Sequence, residues 1–241
     1  MKVLGVIIAR AGSKGLPEKN ARIVAGKPML AWTLEHALGA QALDHVVLST
    51  DGSTLMAIGR SYGVEVIERP PELAHDTATV DSAARHAVET FEGEHETTID
   101  VAVILYGNIP VRPADLTDRA VQKLNETGCD SVQSVYPVGK NHPYWMKQLD
   151  GETGDELVMY QDNRIYRRQD LPPVYMLDGG IIAVQRQSLF TIMEGQPHAF
   201  LGSDRRAIVT EPDAVMDVDS PLDLLVAEAM LKQRHADQNA A

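Results

Sequence analysis

Apolar, β-branched runs return along this chain, each separated from the next by a stretch of helical spacing. The runs are Val3–Ala9, Val46–Leu48, Val64–Ile67, Val101–Leu105 and Ile181–Val184. Such runs read as strands buried on both faces, and their alternation with helices predicts an α/β fold around a mainly parallel sheet. Pro28 opens a predicted helix carrying Leu30, Leu34, Ala37 and Leu38 and closing at Gly39. Val80, Ala83, Ala84, Ala87, Val88 and Phe91 make a second apolar stripe that ends near Gly93. The last helix is announced by Ser220-Pro221-Leu222-Asp223, which supplies a capping hydroxyl, a proline at the first helical position and an acid at the third. The polar tail from Ala236 to Ala241 is expected to fray.

Residues 137 to 178 break the rhythm. Pro, Tyr, Arg and Gln are frequent there, and Asp162 to Pro173 reads as loop. The segment is expected to leave the sheet as an insertion, either a small antiparallel arm that pairs subunits or a lid over a site. Residues 1–241 are expected to form one domain, because 44% hydrophobic content suffices for one sizeable core and no low-complexity tract interrupts it.

Charge changes the picture. Residues 1 to 34 hold six Lys or Arg against the single acid Glu18, while the whole chain is at −12, so the remainder carries −17. A nucleic-acid binder spreads cations over a face to neutralise several phosphates, and this chain does not. The positive charge lies where the first buried run breaks into Arg10-Ala11-Gly12-Ser13-Lys14-Gly15-Leu16-Pro17-Glu18-Lys19-Asn20. Gly12 and Gly15 can expose backbone N–H groups, and Arg10, Lys14 and Lys19 can converge on one space, which suits a polyphosphate. The loop matches neither Gly-x-x-x-x-Gly-Lys-Ser/Thr nor Gly-x-Gly-x-x-Gly.

Parallel sheets gather ligands at the carboxyl ends of their strands, so Ser49-Thr50-Asp51, Glu68-Arg69-Pro70, Asp76-Thr77 and Tyr106 to Arg112 are all expected at one rim. Asp217 and Asp219 precede the last helix. Two carboxylates one residue apart on an extended segment face the same side and offer hard oxygen ligands of the kind Mg²⁺ takes alongside phosphates; the same residues could also cap the helix that follows. The eight histidines show no short metal-ligand spacing and read mostly as surface residues. Cys129, the one cysteine, excludes an internal disulfide and is consistent with a reducing, cytoplasmic setting. The run Val3–Ala9 is too short to span a bilayer and lacks a cleavage site, so no membrane partner is expected.

Ile8 to Asn20 resembles the N-terminal signature of the acylneuraminate cytidylyltransferases, the CMP-sialic acid synthetases, in which Arg-x-x-Ser-Lys-Gly-x-Pro-x-Lys-Asn cradles CTP. Ser49-Thr50-Asp51, Arg69 to Thr77, Pro110-Val111-Arg112, Asp178-Gly179-Gly180 and Asp217-Val218-Asp219 follow in the family's order, so the resemblance spans nearly the whole chain. It implies a Rossmann-like nucleotidyltransferase core with a protruding dimerisation element, a homodimer, and a Mg²⁺-dependent reaction. In that reaction a sugar-acid hydroxyl attacks the α-phosphate of CTP and releases pyrophosphate, with no covalent enzyme intermediate. By matching position, Arg10, Ser13, Lys14, Gly15, Asn20 and Arg69 are CTP-binding residues; Lys14, Lys19, Asp217 and Asp219 are catalytic, the two acids as metal ligands. Tyr106 and Asn108 fall where the sugar is expected, and Arg168, reaching from the partner subunit, is the residue expected to meet its carboxylate. Where the family has Leu-Gln-Pro-Thr-Ser-Pro-Leu-Arg this chain has Leu105 to Arg112, so the acceptor is expected to differ from N-acetylneuraminate. Same-fold nucleotidyltransferases acting on Kdo or a sugar phosphate, and a non-catalytic CTP- or CMP-binding protein, are the alternatives.

Overall fold

Strand β1 (Val3–Ile8) lies at the centre of a seven-stranded sheet, with its side chains dealt alternately to the two faces. A computed structural model describes residues 1–12, 15–75 and 77–240; Ser13, Lys14, Asp76 and Ala241 lie outside the described residues. The chain continues through β2 (Ile23–Val24), β3 (Lys27–Pro28), α1 (Met29–Gly39), β4 (His45–Thr50), α2 (Ser53–Ser61), β5 (Glu65–Glu68), α3 (Val80–Glu94), β6 (Val101–Tyr106) and α4 (Leu116–Thr127). It then forms β7 (Ser131–Pro137), β8 (Lys147–Asp150), β9 (Glu156–Met159), β10 (Tyr175–Gln185), α5 (Arg186–Leu189), β11 (Arg205–Val209) and α6 (Pro221–Ala240). The sheet order is β11-β7-β10-β6-β1-β4-β5.

Val3 and Ile7 of β1 pack with Leu30, Leu34, Leu116 and Leu124 from α1 and α4. Leu4 and Val6 pack on the other face with Ala84, Ala87, Val88 and Phe91 of α3. Period-two alternation in the strand therefore meets the helical stripes read in the sequence, and a three-layer α/β arrangement results. Among the described residues no helix is long and apolar enough to cross a membrane.

The structure differs from the sequence reading at several points. Pro28 is extended, at φ −53 and ψ 141, and ends β3 rather than opening α1. The run Ile181–Val184 lies in the sheet but antiparallel to both neighbours, β6 and β7, while the other ladders are parallel. Strands β7 and β11 and helix α2 had no apolar run to announce them. Ser131 and Ser134 are buried within β7 because their hydroxyls bond inward, and β11 sits at the sheet edge. Helix α6 runs to Ala240, past the expected fraying point. His142 is fully buried, not superficial: it accepts from Tyr144 N at 3.0 Å and donates to Pro172 O at 3.1 Å, closing the base of the excursion between β7 and β10.

That excursion carries the hairpin β8–β9, whose Leu149 and Leu157 are 66% and 69% exposed. A two-stranded hairpin gains little by itself in water, and its apolar side chains here find no core within the chain.

One enclosed cation fixes the ligand-facing end of the sheet. Arg112, read in the sequence as a rim residue, donates to Gly180 O (2.8 Å), Thr33 Oγ1 (2.9 Å), Ile109 O and Tyr106 O (2.7 Å), tying β10 and α1 to the loop that leaves β6. Ile109 and Val111 are likewise fully buried. Replacing Arg112 with Ala leaves these acceptors unpartnered in the interior and should cost about 3–5 kcal/mol. Urea unfolding measures this; a loss below about 1 kcal/mol would show that water or a neighbour replaces the guanidinium without difficulty.

Candidate functional site

Strand β1 stops where the apolar run stops, and the loop that follows is stitched to its neighbours by main-chain bonds. Ala11 N donates to Asp51 Oδ1 at 2.9 Å, joining the loop to the end of β4. Asn20, only 5% exposed, donates from Nδ2 to Arg10 O at 3.1 Å and closes the loop on itself. Room for Asn20 depends on Gly107: a Cβ there would lie 2.9 Å from Ala9 Cβ and 3.2 Å from Asn20 Oδ1.

Arg69 is buried, with Nε on Ser49 Oγ (3.2 Å) and Nη2 on Ser49 O (2.8 Å). Burial lowers its pKa from the ordinary arginine value, the charge of Asp51 opposes that shift, and the nearby Arg10 adds to it. Guanidinium groups held this close favour an anion between them. Arg10, Lys19, Asn20, Arg69, Tyr106 and Asn108 line one cleft of about 270 Å³. Thus the sequence's nucleotide candidates Arg10, Asn20 and Arg69 and its sugar candidates Tyr106 and Asn108 share a cavity. Ser13 and Lys14 lie outside the described residues. Val80 lines the same cleft.

The acidic segment reaches this cleft from the far end of the chain. Met216 N donates to Val111 O (3.1 Å) and Val218 N to Asn108 O (3.0 Å), so residues 216–218 run as a short antiparallel addition to the loop after β6. Lys19 Nζ lies 2.6 Å from Asp219 Oδ1, and Gly15 passes so close that a Cβ would stand 2.8 Å from Asp219 O. Asp217 accepts from the side-chain amide of Asn108. Capping of α6 falls to other groups: Asp223 Oδ2 accepts from Ser220 N (2.8 Å) and Asp219 N (3.1 Å), and Ser220 Oγ accepts from Asp223 N (3.3 Å). The carboxylates of Asp217 and Asp219 instead meet Asn108 and Lys19, two residues that line the cleft.

Asp217 also borders a second cleft of about 350 Å³, with Tyr136, Asp178, Gly179 and Thr210. Asp178 is held by three donors: Ser134 Oγ, Gly180 N (2.8 Å) and Thr210 Oγ1 (2.8 Å). It joins β7, β10 and the segment after β11. Crowding by the surrounding protein pushes the Asp217 carboxyl up to about 6, and the adjacent Asp219 charge pushes the same way, while Lys19 and Arg112 pull against it. Among the described residues no group of three or more His, Cys, Asp or Glu could hold a metal. Two carboxylates with open coordination fit a hard divalent cation that keeps waters and takes its remaining oxygens from phosphate, and they do not fit a closed protein cage.

Arg168 stands apart. It is exposed in the excursion, its Nη2 3.6 Å from where a Gly139 Cβ would be, and it lines neither cleft. The sequence reading missed the enclosure of Arg112 and the contacts Lys19–Asp219 and Asn108–Asp217, which join residues 200 and 109 positions apart.

Residues 4–190 match the family model described as cytidylyltransferase. The chain is 31% identical over 237 residues to CMP-N,N'-diacetyllegionaminic acid synthase of Legionella pneumophila, covering 96% of this chain and 97% of that protein. It is 30% identical over 227 residues to N-acylneuraminate cytidylyltransferase of Streptococcus agalactiae, covering 93% of this chain but 52% of that protein, so it spans about half the streptococcal relative. A solved structure of CMP:2-keto-3-deoxy-manno-octonic acid synthetase complexed with CTP superposes with a TM-score of 0.72 at 18% identity, covering 97% of this chain and 100% of that one.

Asp217 yields a stability test. Its folded pKa, about 6, lies above the ordinary carboxylate value, so the folded state holds the proton more tightly and the ionised carboxylate destabilises the fold above the ordinary range. Asp217→Asn should therefore raise the melting temperature at pH 7.5 in EDTA, and the gain should vanish near pH 4, where the wild-type group is protonated in the folded state. A melting temperature unchanged at pH 7.5 would remove the account of a carboxylate disfavoured by its surroundings and by Asp219.

Proposed function

The chain belongs to the cytidylyltransferase family, with the Rossmann-like nucleotidyltransferase fold, and we propose that it transfers CMP from CTP to a nonulosonic, sialic-acid-like sugar acid. The observation that carries this reading is the meeting, at the carboxyl end of the parallel strands, of Lys19 from the cationic loop after β1 with Asp219, beside Asp217 on Asn108. The names of the legionaminic and neuraminic relatives support a nonulosonic acceptor.

In the proposed reaction the sugar hydroxyl attacks the α-phosphorus in line; its P–O bond forms as the bond to the bridging oxygen breaks, the hydroxyl proton is lost and pyrophosphate departs. Arg10, Lys14 and Lys19 neutralise the triphosphate, Ser13, Gly15 and Asn20 are its further contacts, and Arg69 serves the nucleotide side. Asp217 and Asp219 would hold Mg²⁺, which when bound neutralises phosphate charge. Phosphate oxygens compete with Asp219 for Lys19, so nucleotide binding frees that carboxylate. Tyr106 and Asn108 face the sugar, while Ile109 between them and Arg112 is buried. A binding protein without catalysis has less need of two metal carboxylates, which favours the enzyme over a regulatory module.

A second copy of the chain is the proposed cover for Leu149, Leu157 and Tyr166, the last 93% exposed. Arg168 would then reach the partner's cleft and pair with the sugar carboxylate. The lone buried Cys129 is in keeping with a cytoplasmic location.

Pyrophosphate release with CTP, Mg²⁺ and a panel of sugar acids tests the reaction. Release is expected with a nonulosonic acid other than N-acetylneuraminate as the best acceptor; release only with Kdo or a sugar phosphate would transfer the chain to that reaction, and none with any acceptor would leave a binding protein. Lys14→Ala and Lys19→Ala should each lower kcat/KM on the order of a hundredfold, and Asp219→Asn should shift the Mg²⁺ titration to higher concentration. Wild-type kinetics in all three variants would sink the loop-and-carboxylate assignment. Light scattering should give a dimer for the wild type and a monomer for Leu157→Asp; a fully active wild-type monomer would rule out the shared site.

A further inference from the structure

The two carboxylates of the acidic segment are held in different ways. Asp219 is 71% exposed and leans on Lys19, a long side chain that a phosphate can draw away. Asp217 is bonded to the amide of Asn108, a short side chain on a loop anchored from beneath. The orientation of that amide follows from its partners. Asp217 Oδ1 and, more distantly at 3.4 Å, Val218 O are both acceptors, so the NH₂ group must face them and the Asn108 carbonyl must face away. Both amide protons are thereby committed to the acidic segment, and only the carbonyl oxygen is left for a sugar.

The anchoring is continuous. Arg112 holds Tyr106 O and Ile109 O, the residues that flank the Gly107–Asn108 turn, and the main-chain carbonyl of Asn108 receives Val218 N at 3.0 Å. A rigid path thus runs from the buried guanidinium through the turn to one oxygen of Asp217, leaving Oδ2 and the remaining lone pairs for a cation. Partners of this type fix the direction of a liganding carboxylate, and losing one typically costs 10–100-fold in metal affinity.

We propose that Asn108 is a positioning residue that orients Asp217 toward the nucleotide's metal ion, with Asp219 as the second, mobile ligand released from Lys19. The inference rests on the reading of Asp217 as a cation ligand.

Calorimetric titration of the full-length protein with the Mn²⁺ complex of CTP and with metal-free CTP provides the test, because the ratio of the two affinities isolates what the protein gives to the metal. In the wild type the Mn²⁺ complex should bind more tightly. Asn108→Ala, and Asn108→Leu, which keeps the volume but lacks the donor, should each reduce that advantage about tenfold. Metal-free CTP should bind within about twofold of wild type, as expected if only the carboxylate's orientation is disturbed. Asp217→Asn should remove most of the advantage, and adding Asn108→Ala to it should take away nothing more, since the amide acts only through that carboxylate. Asn108 variants that keep the wild-type ratio and raise only the sugar KM would overturn the inference and make Asn108 a sugar contact. Additive losses in the double variant would overturn it too. A wild type that binds both forms equally would refute the metal role of Asp217 itself, an outcome separable from failure of Asn108 alone.

Discussion

Arg112 is enclosed on every side, and the segments that meet around it are those that shape the catalytic end of the sheet: α1 through Thr33, the turn after β6 through two carbonyls, and β10 through Gly180. Burial lowers its pKa to about 9, opposed by the charges of Asp217 and Asp178. A cation this deep is expensive to desolvate, and an apolar residue of the same volume would often serve stability as well. It does something an apolar residue cannot, because it forces particular carbonyl oxygens to point at one spot and so sets the turn geometry from which Asn108 and Tyr106 project. His36, which packs nearby and bonds Thr117 at 2.8 Å, is held neutral down to about pH 3 by burial and by the same guanidinium. The interior around Arg112 therefore tolerates one cation and rejects a second.

The surface above follows an opposite logic, in which charges are gathered rather than spread. Arg10 and Arg69 crowd each other, and Asp217 and Asp219 crowd each other, and both arrangements raise the energy of the free protein. Each half relieves the other only in part, through the Lys19–Asp219 pair. Perturbed groups of opposite sign thus collect at one end of the sheet, the pattern that functional sites show.

Legibility of this arrangement in the sequence depended on distance along the chain. The buried run that breaks into a glycine-bearing cationic loop is a local contrast, and β1, its loop and the cap of α6 were readable for that reason. Ser131 and Ser134 hid β7, because a buried hydroxyl interrupts the apolar pattern that marks a strand. Arg112 looked like a rim residue: three of its acceptors are backbone carbonyls, which any sequence possesses, and the most distant acceptor, the Thr33 hydroxyl, lies 79 residues away. The bond from the Asn108 amide to Asp217 was equally hidden, since the two residues lie 109 positions apart. Helical and strand periodicity speak of burial, and they are silent about which polar groups meet.

The direction of β10 joins the remaining parts. Because the chain leaves the sheet after β7 for the excursion and comes back from its far side, β10 must run against β6 and β7, and it enters the sheet carrying Asp178-Gly179-Gly180. Pairing with β7 slips between Leu177 and Ile182, so these three residues sit in an irregular stretch where the ladder is free to bend. Gly179, at φ +72, admits the side chain of Ile109 so closely that a Cβ would lie 3.0 Å from Ile109 Cδ1, and Gly180 presents its carbonyl to Arg112. The strand that returns from the exposed hairpin is thus the strand that seats the turn after β6.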